Sequence, residues 1–89
     1  MMLKLIKEKR FEKDVAKAKK RNKDMAKLLE IVTLLVSKKS LPIKNRNHKL
    51  QGSYSDFWEC HIEPDWLLIY QKTDDAIILA RTGTHADLF

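Results

Sequence analysis

The sequence predicts an α+β domain in the order β-α-α-β-β-β, with two N-terminal helices packed on a small antiparallel sheet. Three observations predict it. Apolar residues recur at helical spacing only in the first 40 positions. Short strand-like runs rich in Trp, Ile, Leu and Tyr fill residues 56–82, separated by turn signals at Pro64-Asp65 and Thr73–Asp75. The 89 residues suffice for one modest core and one domain.

Residues 3–6 are short enough for a first strand only. Residues 8–21 read as a helix with a thin stripe of Phe11, Val15 and Ala18, spaced four and three apart. Asn22 to Asp24 make a tight connection. Residues 25–37 carry the clearest periodicity, with Met25, Leu28, Leu29, Val32, Leu35 and Val36 on one predicted face. Two helices with so short a link form an αα-hairpin. Pro42 is the expected stop of the second helix, and residues 40–52 read as a loop. Residues 56–62, 66–71 and 76–82 are the three strands of a meander. The middle one is the most apolar and is expected at the centre of the sheet. Gly83 breaks the last strand and leaves residues 84–89 as a short tail, which would fray if free.

Composition narrows the class of function. Hydrophobic residues make up 44% and charged residues 34%, the balance of a globular protein. No apolar run approaches the ~20 residues that span a bilayer, and residues 1–10 lack a signal-peptide core. A cytoplasmic location follows as the expectation, and the lone Cys60 fits a reducing compartment. Sixteen of the 18 Lys and Arg, but five of the 12 Asp and Glu, fall in the first 50 residues. That part therefore carries +11, and the remainder, with two basic and seven acidic residues, carries −5. Such a basic surface suits a polyanionic partner, since phosphate contacts release counterions; the other reading is a solvated helix face. A membrane surface fits less well, because the basic helix lacks a broad apolar face rich in Trp and Phe.

His48, His61 and His85 all lie beside predicted turns or strand ends, where side chains are available to a cleft. Asp65 follows His61 in a turn, and Arg81 precedes His85 by four residues. Together these residue types support metal-free phosphodiester cleavage: histidine exchanges protons near neutral pH, and a guanidinium stabilises phosphate charge. Trp66 and Phe89 are candidates to hold an unstacked base. Arg46 and Lys49, flanking His48, are candidate substrate contacts. Spacing alone leaves each of these readable as an ordinary surface residue, and Trp66 as a packing residue. Three His and an Asp are also a conceivable zinc set, but no HxH, HxxxH or Cys pair occurs. No cofactor is expected. Cys60 reads as a small buried residue.

Three segments carry a resemblance: residues 48–52 (HKLQG), 61–70 (HIEPDWLLIY) and 81–89 (RTGTHADLF). In this order they resemble the YafQ branch of the RelE superfamily of toxins. The resemblance spans nearly the whole chain and is strongest from His48 onward. It implies helices on a small curved antiparallel sheet (the RelE-like arrangement) and a ribosome-dependent endoribonuclease. Such an enzyme cuts messenger RNA in the ribosomal A site by 2′-OH attack and so inhibits translation. Carried over position by position, it implies catalytic roles for His48, His61, Asp65, Arg81, His85 and Phe89. His85 is then the general acid, Asp65 or His48 the general base, and Trp66 a support through packing. Trp58 departs from relatives with a basic residue there, so an RNA contact is missing or replaced by stacking. The resemblance further implies a cognate antitoxin, ribosomal RNA and messenger RNA as partners, with operator DNA reached only through the antitoxin complex. Two alternatives stand beside it: a non-catalytic nucleic-acid-binding module, and a topoisomerase-inhibiting toxin of the same fold.

Overall fold

Both helices form where the apolar stripes lie. In the computed structural model, which describes residues 2–89, α1 spans Lys9–Lys20 and α2 spans Met25–Val36. α1 buries Phe11 and Ala18 and half-buries Val15, so its thin stripe seats it while its lysines stay in solvent. α2 starts at Asp24, whose carboxylate accepts the Ala26 N–H at 3.0 Å and satisfies one free donor of the first turn. Asn22 and Lys38 end the two helices in the left-handed region, each with φ of 60°. The second helix thus stops at Lys38's turn, ahead of the expected stop at Pro42.

α2 buries Leu28, Ile31, Val32, Leu35 and Val36. Leu29, expected with them, is 66% exposed, and Ile31 takes its place. Neighbouring residues on a helix stand about 100° apart, so a stripe centred on Leu28, Val32 and Leu35 accommodates Ile31 on its flank and leaves Leu29 outside.

The strands are β1 (Lys4–Lys7), β2 (His48–Lys49), β3 (Trp58–Glu63), β4 (Trp66–Lys72) and β5 (Ala76–Gly83). They form one sheet in the order β1-β5-β4-β3-β2. The apolar β4 is central, and β3, β4 and β5 form the antiparallel meander. β1 pairs with β5 in parallel, so the sheet as a whole is mixed where the sequence predicted an antiparallel one. Hairpin turns dictate the meander, whereas β1 reaches its neighbour only after the whole chain has crossed back. β2 is a two-residue strand inside the stretch read as a loop. Its pairing with β3 is decided by tertiary contact, and two residues leave no periodicity to detect.

The core lies between the helices and one face of the sheet. Phe11, Leu28, Val32 and Leu35 meet Cys60, Ile62, Trp66, Leu68, Tyr70, Ile77 and Leu79 there. Leu67, Ile69 and Ala80 are buried as well but stand outside this core, on the opposite face. The last residues are not a free tail: His85–Leu88 form a short helix, α3.

Candidate active site on the open face of the sheet

Strand register assembles the histidines. His48 on β2 pairs with Glu59 on β3, Glu59 with Ile69 on β4, and Ile69 with Arg81 on β5. One row further along, His61 pairs with Leu67, and Leu67 with Gly83. β5 therefore ends beside the β3–β4 turn, and α3 starts over that turn. This is the topology that brings His85 to Asp65. The His85 ring Nδ1 lies 2.6 Å from Asp65 Oδ1, and the His85 backbone N–H donates to the same oxygen at 2.9 Å. Those two bonds, the backbone one the stronger influence, hold the Asp65 carboxyl below its ordinary range. The His61 and His85 ring centroids are 5.7 Å apart.

Glu59 was not singled out from the sequence, yet it lies at the centre of the cluster. It is buried, and its Oε1 lies 3.6 Å from His48 Nε2 and 3.5 Å from His61 Nε2. Alternation was the available signal: residues 59 and 61 of a strand share a face. The far nitrogen of each ring is also fixed, His48 Nδ1 at 2.7 Å from the Arg46 carbonyl and His61 Nδ1 at 3.3 Å from that of Pro64. Two asparagines pin the segment that carries His48. Buried Asn45 donates to the His61 carbonyl at 2.7 Å, and Asn47 accepts from the Tyr70 hydroxyl at 2.6 Å.

The remaining candidates are distributed differently. Trp66 is 1% exposed and donates its indole N–H to Thr82 Oγ1 at 2.9 Å, so it packs the core and cannot stack on a base. The Arg81 guanidinium is held by Asp14 of α1, with Nε and Nη2 at 2.7 and 3.3 Å. The same carboxylate accepts the Thr82 N–H at 3.1 Å. Arg81 thus ties α1 to β5. Lys49 pairs with Trp58, and alternation sends its side chain to the face opposite His48. Arg46 is exposed and meets the site through its carbonyl, its backbone in the left-handed region at φ 46°. Phe89 is 62% exposed, and its ring lies 6.2 Å from that of Tyr54. Cys60, one residue from Glu59, faces the core; burial, with the Glu59 charge adding, pushes its thiol up to about 12.

α3 is locked in place by Asp87. Thr84 and Asp87 form a reciprocal capping box, in which Thr84 Oγ1 accepts the Asp87 N–H and Asp87 Oδ2 accepts the Thr84 N–H. Asp87 also accepts from Arg21 at 2.7 Å and Lys17 at 3.2 Å, both on the α1 side. The Arg21 bond is the main reason its carboxyl lies well below the carboxylate range. Gly83 suits this closeness, since a Cβ there would stand 3.0 Å from the Asp87 side chain and press on it.

Among the described residues, no three His, Cys, Asp or Glu side chains converge on a point that would hold a metal ion. No described helix is long and apolar enough to cross a membrane.

Known proteins resemble this chain in sequence and in fold. The chain is 49% identical over 80 residues to the mRNA interferase toxin YafQ of Escherichia coli strain K12, covering 89% of this chain and 87% of that one. Its fold matches a chain of the E. coli DinJ-YafQ toxin-antitoxin complex with a TM-score of 0.92 at 43% identity, over 100% of this chain and 99% of that one. It also matches a copper-bound mutant toxin from Helicobacter pylori with a TM-score of 0.95 at 41% identity, over 99% and 100% of the two chains. Residues 3–89 fit the family described as the bacterial toxin of type II toxin-antitoxin systems, YafQ. With sequence and fold in agreement, the chain belongs to the YafQ family of bacterial type II toxins.

Proposed function

We propose that this chain is a ribosome-dependent endoribonuclease that cuts messenger RNA in the cytoplasm without a metal of its own. The observation that carries the proposal is the pairing of His85 with Asp65 at 2.6 Å, 5.7 Å between rings from His61. Asp65 accepts the Nδ1 proton of His85, supports its charged form and turns Nε2 outward as the proton donor. With both its short bonds directed at His85, Asp65 serves as the orienting group, which leaves His48 as the general base. His48 Nδ1 is engaged by the Arg46 carbonyl, so Nε2 is the nitrogen left to accept a proton. His61, between the two, faces the phosphate.

The step balances as a transesterification. His48 Nε2 takes the proton of the 2′-OH, and the 2′-oxygen forms a bond to the adjacent phosphorus. The bond from phosphorus to the 5′-oxygen breaks, and His85 Nε2–H protonates that oxygen. The products are a 2′,3′-cyclic phosphate and a 5′-hydroxyl. Asp14 engages Nε and Nη2 of Arg81, which leaves Nη1 to meet charge on the phosphate while the ion pair holds β5 and the start of α3 in place.

A domain of this size offers little surface to orient an RNA strand, and the ribosome supplies the positioning. The basic first half suits ribosomal RNA and, in turn, an acidic antitoxin, as DinJ accompanies the E. coli YafQ. Competition between the two partners then accounts for neutralisation. The test is single-turnover cutting on programmed ribosomes, with 5′ ends mapped and zinc removed by a selective chelator that spares magnesium. Cutting with 5′-hydroxyl ends that survives chelation and drops ~10²–10⁴-fold in His85→Ala is expected. Activity that disappears with zinc and returns on its addition would overturn the metal-free step.

A further inference from the structure

Lys49 faces away from His48, and its surroundings form a second surface. Lys49 stands directly across from Trp58, and Trp58 directly across from Tyr70, so all of them lie on the helix side of the sheet. A cleft of about 180 Å³ opens beside Trp58 there, between the end of α2 and the end of β4. Lys38, Lys39 and Lys72 line it, and no Asp or Glu does. These lysines and Lys49 are all exposed, and none is paired with a described carboxylate. Lys17, Arg21, Lys23, Lys27 and Arg81, by contrast, are each held by one.

The floor of the cleft is fixed. Trp58 is half-buried and stacks on buried Tyr70, with ring planes 18° apart. The Tyr70 hydroxyl donates to Asn47 Oδ1 at 2.6 Å, which leaves the Asn47 NH₂ group as the donor end of that side chain at the cleft. The Lys38 and Lys39 backbone N–H groups close the last turn of α2 on the Leu35 and Leu34 carbonyls, so their ammonium groups are not needed to cap the helix.

Unpaired ammonium groups favour an anion, and several in one patch favour a polyanion. A protein partner anchors on exposed apolar side chains, and Leu35, Tyr70 and Ile77 of this cleft are buried. A phosphodiester backbone needs no such anchor, because it presents its charges outward at regular spacing. His48 and Lys49 are neighbours on one strand and so face opposite ways. A message strand lying against the histidines therefore leaves this patch to a different RNA.

We propose that Lys38, Lys39, Lys49 and Lys72 form a second RNA-docking surface, which takes backbone phosphates of ribosomal RNA while the message lies on the opposite face of the sheet. This role rests on the ribosome-dependent reading above and adds a surface outside the basic helix α1.

Ribosome binding by the full chain tests it, in a His85→Ala background that leaves the message intact. Lys38→Gln, Lys39→Gln and Lys72→Gln are combined, and binding to programmed ribosomes is followed as monovalent salt is raised at fixed magnesium. Each lost phosphate contact lowers the log–log salt slope by about one, so a drop of about two to three is expected. Affinity should fall about 3- to 150-fold, the range of three exposed ion contacts. The matching triple of Lys→Arg changes should stay within a few-fold of the parent. With His85 restored, the Gln triple should raise the half-saturating ribosome concentration and keep the saturated cutting rate, because the patch touches no reacting group. Melting temperatures close to wild type are expected, since all three lysines are exposed. Unchanged affinity and salt slope in the Gln triple would overturn the surface, even if antitoxin binding weakened. A lowered saturated rate at unchanged affinity would overturn it too. If the parent itself does not bind ribosomes, the ribosome reading fails and a short RNA duplex takes their place: weaker binding with a flatter salt slope in the Gln triple upholds the surface, and equal binding overturns it.

Discussion

Replacing Asp87 by Ala isolates what holds the C-terminal helix in the site. Asp87 closes the capping box with Thr84 and receives Arg21 and Lys17. A lost helix cap costs ~1 kcal/mol. Arg21 and Lys17 are 41% and 57% exposed in their side chains, so solvent screening leaves each ion pair a small addition to the cap. The docking of α3 is thus weakened by at least the ~1 kcal/mol of the lost cap. His85 and Phe89 both travel with α3, and misplacement by ~1 Å can lower a rate ~100-fold. Cutting on programmed ribosomes is expected to fall about tenfold or more in Asp87→Ala. The global unfolding transition should move less than the local loss implies, because the core of α1, α2 and the sheet is untouched. Hydrogen exchange at the Leu88 and Phe89 amides reports the helix directly, since they bond to the Thr84 and His85 carbonyls. Arg21→Ala should add little on top of Asp87→Ala, as partners in one network are non-additive. Acid should act the same way. The folded carboxyl titrates below its unfolded value, so its stabilisation is complete above about pH 4 and is lost as pH falls further. Wild-type cutting and wild-type amide protection in Asp87→Ala would refute the latch.

Three further outcomes are expected. Leu28→Ala and Leu35→Ala should each cost ~2–5 kcal/mol in denaturant unfolding, while Leu29→Ala, on the solvent side of the same helix, should stay within about 0.5 kcal/mol; similar losses at all three would refute the assigned face. Asp65 also titrates below its unfolded value because of His85, so the Asp65–His85 contact should persist as pH drops to about 4 and open below it, and an NMR titration with Asp65 ionising at or above its ordinary value would contradict the pairing. Charge reversal at Lys13 and Lys20, which pair with no described residue, should weaken antitoxin or ribosome binding most at low salt. Lys17 and Arg21 are poor choices there because reversal would also release α3. Unchanged binding of both partners would remove the basic helix from the interface.

The residue types needed for the chemistry, and the elements that carry them, could be read from the chain itself. Helical spacing located α1 and α2, runs of strand-favouring residues between turn signals located β3, β4 and β5, and the three segments around His48, His61 and His85 pointed to the family. These signals are local, each contained in a window of a dozen residues. What brings those segments together is not local. The contact between Asp65 and His85 spans 20 positions and exists because Gly83 registers opposite Leu67. That register passes through irregularities at His61/Glu63 and Ile69/Tyr70, and a slip of one residue would turn every side chain to the other face. The same register hid Glu59, which looked like an ordinary polar position of a strand until His48 paired across from it. It also decided for Trp66 the packing role the sequence had left open, and gave Arg81 a partner in Asp14, 67 positions away. Composition and periodicity determine which groups are present and which stripes are buried. Only the packed sheet decides which of them meet, because proximity between distant positions depends on pairing register and burial that no short window contains.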